Sequence, residues 1–449
     1  MLRPGILATK FKSLATSWPA LVCLIAAILV WRCSSHLLHP ELRAEDGSKV
    51  FAFFYTHRAL SSLLRFKAGY LPLVPNVLGF LAVRLPARAT PYVLTIVPTL
   101  LALVTFSVFR ASAYRRYVHS DGLRFSVCLA LAIAPIGNQL TVCNTDYCIW
   151  NVLLLLLLLV ILPMPRSRAW AVLFSLTSAV LIWSHPLTLL ALPATLFWLW
   201  RDTGVFKRAL HALLLLCQGL HVRFGTEPQR ATLVKTEPAA HRLAVLAKSI
   251  VNYICGEIIQ PLVFPWGART AGFVFALGGV FFVALVACAL LRKARVAQPA
   301  LYAWLGYGIW APMALTALVR DERTVQSMRY YYVSKAFTAV ALCLVLYQLL
   351  FSLTRRWAPK FRWLEVVPAV ATLFYFALVN DATNGNARYQ SADPANAALV
   401  ARFFSDLADA ERKQGGHCNI NLRCRKGHGD WPFAVDTRRQ CVEGSGVTD

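Results

Sequence analysis

Charge is what this chain has least of. Only 15% of its 449 residues are Asp, Glu, Lys or Arg, where soluble proteins carry roughly a quarter. The shortage is lopsided: 21 acidic residues face 46 Lys and Arg, for a formal net charge of +25. The usual signatures of catalytic folds are missing as well. There is no Walker loop, GxGxxG, HExxH or GxSxG pattern, which removes the common nucleotide-binding, zinc-protease and hydrolase readings. No zinc-finger, homeodomain or RRM pattern accompanies the basic excess, so nucleic acid is not an expected partner. The cations punctuate apolar runs, and anionic lipid headgroups or a phosphorylated lipid fit them better. No CxxC or zinc spacing occurs among the twelve cysteines. Cys23, Cys217, Cys288 and Cys343 lie in apolar runs as small core residues. Cys418, Cys424 and Cys441 lie in the polar tail, where one disulfide would leave one over. The Cys143–Cys148 spacing suits a disulfide poorly.

What the chain has in plenty is apolar sequence: 57% hydrophobic residues and a mean hydropathy of +0.54. Long apolar runs recur to about Asn380, the pattern of an all-α polytopic membrane protein. The runs are Trp18–Leu38, Pro91–Phe109, Leu123–Asn138, Tyr147–Leu162, Ala169–Ser184, Leu187–Trp200, Ala209–His221, Ser249–Phe264, Thr270–Leu291, Ala300–Val319, Tyr330–Leu353 and Trp363–Val379. The first is too long for a signal-peptide core and no small-residue cleavage site follows it, so it is kept as a span. Ser249–Phe264 holds Asn252, Glu257 and Gln260 and reads as re-entrant or interfacial. About eleven transmembrane helices remain.

The positive-inside rule then places the N-terminus in the cytoplasm. The inner segments carry Arg3, Lys10 and Lys12; Arg110, Arg115, Arg116 and Arg124; Arg166 and Arg168; Arg201, Lys207 and Arg208; Arg292, Lys293 and Arg295; and Arg355, Arg356, Lys360 and Arg362. The short outer turns Gln139–Asp146 and Ser184-His185-Pro186 carry no Lys or Arg. Two long outer loops are nevertheless basic, and an anionic substrate is one reason for that. The chain divides into a transmembrane domain, 1–380, and a small extracytoplasmic C-terminal segment, 381–449.

The first outer loop, 39–90, is predicted to hold two interfacial helices: an amphipathic one over Lys49–Phe66 and a second over Asn76–Leu85. In the tail, Pro394–Gln414 is expected to be helical, with an apolar stripe through Val400, Phe403, Phe404 and Leu407. Cys418–Arg423 and Phe433–Asp436 are expected as short strands. The leucine run Leu153–Leu159 is read as a lipid-facing surface.

With acids so few, Glu45-Asp46-Gly47 just outside the first span stands out. Adjacent carboxylates there suit a general base or a metal ligand. Equally, Asp46 suits the N-cap of the following helix. Glu257 is a carboxylate at membrane depth, or lies in water if its segment is flat.

Ala44-Glu45-Asp46-Gly47, Arg65-Phe66-Lys67-Ala68-Gly69-Tyr70 and Arg84-Leu85-Pro86 together resemble the first outer loop of bacterial members of the GT-C superfamily of membrane glycosyltransferases. Asn138 to Asn151, with Asn144 and Trp150, is similar to a polar turn after the third span. Ser184-His185-Pro186 resembles a Ser/Gly-Pro break, and Ser327-Met328-Arg329-Tyr330-Tyr331 an Arg-Tyr at the mouth of a late span. These motifs are short, and the family's large C-terminal domain and second acidic motif have no clear counterpart beyond Asp146.

The resemblance implies a polyprenyl-phosphate sugar as donor, an envelope glycan or lipid as acceptor, and work at the outer face of a bacterial inner membrane. Transfer needs a base for the acceptor hydroxyl and cations for the departing phosphate. Asp46 is the candidate base, with Glu45 second. Arg329 is the phosphate clamp, or a snorkelling cation at a helix end, with Tyr330 beside it. Arg58, Arg65 and Lys67 are placed to meet lipid phosphate or headgroups. Asn144 and Asp146 line the cavity or cap the next span, and His185 touches substrate or packs. A Mg²⁺ or Mn²⁺ ion on Asp46 is compatible with paired carboxylates. The rival reading is a transporter or flippase for a lipid-linked or anionic solute; midplane charges and an internal repeat would favour it.

Overall fold

The computed structural model describes residues 17–40, 42, 46–67, 70–134, 136, 139–224, 298–319, 331–357, 370–374, 394–413, 421–424 and 433–436. Local signals open several of its helices. Ser17 caps α1 (Trp18–Leu38), its Oγ accepting the Ala20 N–H at 3.3 Å. Ser120 does the same for α4 (Asp121–Ile133), through Leu123 N–H at 3.2 Å. Pro91 and Pro193 sit in the first turns of α3 (Thr90–Ser107) and α7 (Leu192–Arg201), where a missing N–H costs nothing. The remaining elements are α2 (Leu73–Ala82), α5 (Ile149–Val160), α6 (Arg168–Ile182), α8 (Val205–Phe224), α9 (Pro299–Val319), α10 (Tyr332–Trp357), α11 (Pro394–Lys413) and an antiparallel pair, β1 (Asn421–Cys424) with β2 (Phe433–Asp436). The described residues are thus overwhelmingly helical.

Helix α5 is the axis of the bundle, packed by α3, α6 and α10. Its leucines are buried: Leu153, Leu156 and Leu157 are fully enclosed. The expectation of a lipid-facing leucine surface is therefore corrected. A helix hydrophobic all round is a core helix, and this one has neighbours on every side. Helices α1, α4 and α9 extend the packing through α3 and α10, while α7 and α8 build outward from α6. At Gly308 a Cβ would collide with the Phe337 ring, so α9 and α10 meet at backbone distance there.

Two helical stretches among the described residues are long and apolar enough to cross a bilayer: Trp18–Leu38 and Ala87–Arg116. Leu73–Ala82, Ile149–Val160, Arg168–Ile182 and Tyr332–Gln348 are apolar but shorter. The expected runs at Ser249–Phe264 and Thr270–Leu291, and all but 370–374 of Trp363–Val379, lie outside the described residues.

In the loop after α1, Lys49–Phe66 is not the single amphipathic helix expected there. A π-helical turn over Asp46–Phe51 runs into a short α-turn, Ala52–Thr56, and a 3₁₀ turn follows at Leu60–Leu64. Helix α2 lies against them so closely that a Cβ on Gly79 would meet Val50 Cγ1 at 2.5 Å and Phe54 Cδ2 at 2.7 Å. From the far end of the chain, α11 covers the same loop. Val400, Phe403, Phe404 and Leu407 are buried in one cluster with Val50, Phe51, Phe54 and Tyr55. The Phe51 ring stands edge-on to Phe404 at 4.8 Å and to Phe403 at 6.2 Å.

Candidate functional site

The site begins with the turn that precedes α5. Asn144 Oδ1 accepts the Tyr147 N–H at 2.9 Å, and the Asn144 carbonyl accepts Cys148 N–H at 3.0 Å. Thr145 Oγ1 donates to the Leu94 carbonyl at 2.7 Å, fastening the turn to α3. This geometry turns two consecutive backbone N–H groups toward Asp46: Thr145 N–H reaches Oδ2 at 3.1 Å and Asp146 N–H reaches Oδ1 at 2.8 Å. Asp46 is 2% exposed. Its carboxylate does not cap its own helix; it caps a turn a hundred residues away.

Lys67 completes the arrangement. Its backbone pairs with Tyr70 in both directions, at 2.8 and 3.1 Å. Asn76 Nδ2 donates to the Leu63 and Arg65 carbonyls at 3.0 and 2.9 Å, which fixes the approach to Lys67. Lys67 Nζ makes a buried ion pair with Asp146 Oδ1. Two acids and one ammonium, from three separate segments, thus share one enclosed volume.

The electrostatics follow from that crowding. Burial, then the charge of Asp146, pushes the Asp46 carboxyl well above the usual carboxylate range. The two backbone donors and Lys67 pull the other way. Both Asp46 oxygens receive an N–H donor, and each keeps a second lone pair. The fixed donors favour the carboxylate while burial and Asp146, which prevail, favour its protonated form, so the group is poised for proton exchange and not simply ionised.

The other expected residues separate. Arg65 is half-buried, its guanidinium 3.7 Å from the Phe53 ring centroid and bonded to the Lys49 carbonyl. Arg58 is exposed and lies over Tyr55 at 5.0 Å. Asn144 closes the turn ahead of α5 and does not cap the helix itself, whose N-cap residue is Cys148; Asp146 pairs with Lys67. His185 is fully buried and meets the Trp150 ring at 4.8 Å. Glu45, Arg329, Tyr330 and Glu257 lie outside the described residues. Cys143 and Cys148 are both free thiols.

Sequence reasoning missed Thr145, whose backbone is half of the Asp46 clasp, and the Asn151–Tyr332 pair. Asn151 Nδ2 donates to the Thr141 carbonyl at 2.7 Å while its Oδ1 accepts from the Tyr332 hydroxyl, tying α10 to the base of the turn. A polar Asn at the third position of an otherwise apolar helix was the available signal. Compared with known proteins, the chain matches no family profile, and no curated sequence or solved structure is similar to it.

Proposed function

We propose that this chain is a membrane glycosyltransferase of GT-C-like architecture, with about eleven spanning helices. It moves a sugar from a polyprenyl-phosphate donor to an envelope glycan or lipid acceptor at the outer face of a bacterial inner membrane. The observation that carries the reading is the convergence of Asp46, Asp146 and Lys67 in one buried site. Asp46, in the loop after α1, and Asp146, in the turn before α5, lie side by side, and that supports the reading although the family's second acidic motif has no clear counterpart beyond Asp146.

The chemistry is an inverting displacement. The acceptor oxygen attacks the anomeric carbon, its proton passes to Asp46, and the bond to the phosphate oxygen breaks with its electron pair. Lys67 stabilises the negative charge that grows on the departing phosphate. Asp146 holds the ammonium in place until the donor enters, and Arg65 lies on the same loop for the lipid phosphate.

The residues present do not suit a divalent ion. Among the described residues no three His, Cys, Asp or Glu side chains gather. The Asp46 oxygens already take backbone donors, and an ammonium stands on Asp146. No step is therefore drawn through Mg²⁺ or Mn²⁺.

A distribution of polarity supports the membrane setting. Trp31, Val104, Leu176, Phe197 and Leu216 project outward from α1, α3, α6, α7 and α8, while among the described residues Arg32, Lys67, Arg124, Gln218 and four histidines are buried. Broad apolar surface outside and polar groups inside is the arrangement of a bundle in lipid.

The test is mass spectrometry of envelope glycans and glycolipids from a deletion strain, complemented with wild type or with Asp46→Asn at matched protein level. Wild type restores a glycan that Asp46→Asn leaves reduced by about 10²–10⁴-fold in rate of formation. Equal restoration by both removes Asp46 as the base. No glycan change on deletion removes glycosyl transfer.

A further inference from the structure

A second polar group lies at the same end of the bundle as Asp46. His185, Thr188, Gln218 and His221 are all buried, none more than 1% exposed. They come from the turn after α6, from the 3₁₀ segment Thr188–Ala191 that follows it, and from one face of α8. Their hydrogen bonds determine what their remaining atoms are. His185 Nδ1 accepts the Leu187 N–H at 3.0 Å, so the neutral ring carries its proton on Nε2. His221 Nε2 donates to the His185 carbonyl at 3.0 Å, so its Nδ1 is a bare acceptor. Thr195 Oγ1 donates to the Ala191 carbonyl at 3.0 Å and therefore accepts from Gln218 Nε2 at 3.1 Å. That orients the amide and leaves Gln218 Oε1 as an acceptor.

His185 Nε2, His221 Nδ1, Gln218 Oε1 and Thr188 Oγ1 have no hydrogen-bond partner among the described residues. Buried polar atoms in native proteins are paired, and each exception asks for an explanation. Four on adjoining residues ask for a polar guest. The set is one fixed donor, two fixed acceptors and a hydroxyl that does either. Phosphate only accepts and ammonium only donates. A hydroxyl does both, and it matches. Burial, with His221 beside it, pushes the His185 ring down to about 3, so the donor carries no charge at neutral pH. Each histidine ring also meets an indole edge-on: Trp150 at 4.8 Å from His185 and Trp183 at 5.2 Å from His221.

We propose that His185, Thr188, Gln218 and His221 form a buried recognition site for the hydroxyl groups of an uncharged saccharide. Naming the guest a sugar rests on the glycosyl-transfer reading; the need for a neutral hydroxyl-bearing guest does not. Trp150 links the two sites. It follows Asp146 by four residues and presents its ring to His185.

The experiment uses the full chain in lipid nanodiscs, with glucose, galactose, mannose and arabinose as probes and tryptophan fluorescence as readout. A saturable change with at least one sugar is expected. His185→Phe and Gln218→Leu should each weaken it by about tenfold or more, the worth of one hydrogen bond of about 1.4 kcal/mol. Thr188→Val, the mildest change, should weaken it in a chain whose thermal midpoint is kept. Asp46→Asn should bind as wild type does. No saturable response in wild type means that the site holds internal water only, and overturns the proposal. Unchanged affinity in all three variants overturns it too. Binding that the variants weaken, in a protein whose Asp46→Asn form restores every glycan, would sink the transfer mechanism and leave this site standing.

Discussion

Asp46 accepts N–H groups from Thr145 and Asp146, while Lys67 neutralises Asp146 beside it. Lys67 and Asp146 are 8% and 3% exposed, so their pairing is a desolvated one. Such pairs add little net stability, but removing one partner leaves a buried charge and costs about 3–5 kcal/mol. Lys67→Met should therefore lower the thermal midpoint in detergent sharply, and Lys67→Met with Asp146→Asn should recover most of the loss. A double variant as unstable as the single one would show that the two charges are not coupled. The sequence made Asp46 and Lys67 conspicuous because charge is so scarce in this chain. It could not reveal their partners. A capping role was legible in kind, since Asp46 does accept backbone N–H groups. Local spacing assigned those groups to its own helix, and only the folded chain brings in a turn a hundred residues on. Arg58 and Arg65 looked equivalent to Lys67 by position, yet aromatic rings hold both of them, at Tyr55 and Phe53.

At the level of elements, the long helices were readable and the short ones were not. Trp18–Leu38 and Phe433–Asp436 have the expected bounds because each is set by an unbroken pattern between clear stops. The first loop has mixed apolar spacing, and contact with α2 and α11 decides its π, α and 3₁₀ turns. Helix α5 was misplaced for the same reason: a leucine run is apolar all round, and periodicity cannot tell lipid from neighbouring helices. The contacts that shape the loop give a prediction. Phe404 is 1% exposed and packs on Phe51, at the end of the turn that Asp46 begins. Phe404→Ala should cost about 3–5 kcal/mol, as large-to-small core changes do. Gly79→Ala, with its new Cβ 2.5 Å from Val50, should cost about 1–3 kcal/mol through overpacking. Both should reduce glycan restoration along with Asp46→Asn. Exposed Leu60→Ala on the same loop should leave it unchanged. Full restoration by Phe404→Ala at normal protein level would mean that α11 does not help to hold Asp46.

For the whole molecule, the docking of α11 on the loop after α1 constrains topology. Phe403, Phe404 and Leu407 share one buried cluster with Phe51, Phe54 and Tyr55, and exposed Arg88 reaches Ser405 at 3.1 Å and Asp409 at 3.4 Å. Segments so packed lie on one side of any membrane the chain crosses. An even number of crossings must then separate them, whatever their individual lengths. Twelve apolar runs, the first ahead of the loop, leave eleven between loop and tail, an odd number that would put them on opposite faces. If the runs are read as spans, one of them must then not cross. Ser249–Phe264, with Asn252, Glu257 and Gln260, is the run whose composition least suits lipid. Leaving that run out would put the basic segment after Leu291 on the inner side, in keeping with the positive-inside rule. Alkaline phosphatase folds to activity only outside the cytoplasm. It should be active when fused after Asp449 and when inserted at the exposed His57–Ala59 link, and inactive when inserted between Asp202 and Gly204. Activity at the loop with inactivity at the tail would mean that α11 and the first loop never meet in the membrane, and the support of Asp46 by α11 would fall with that contact.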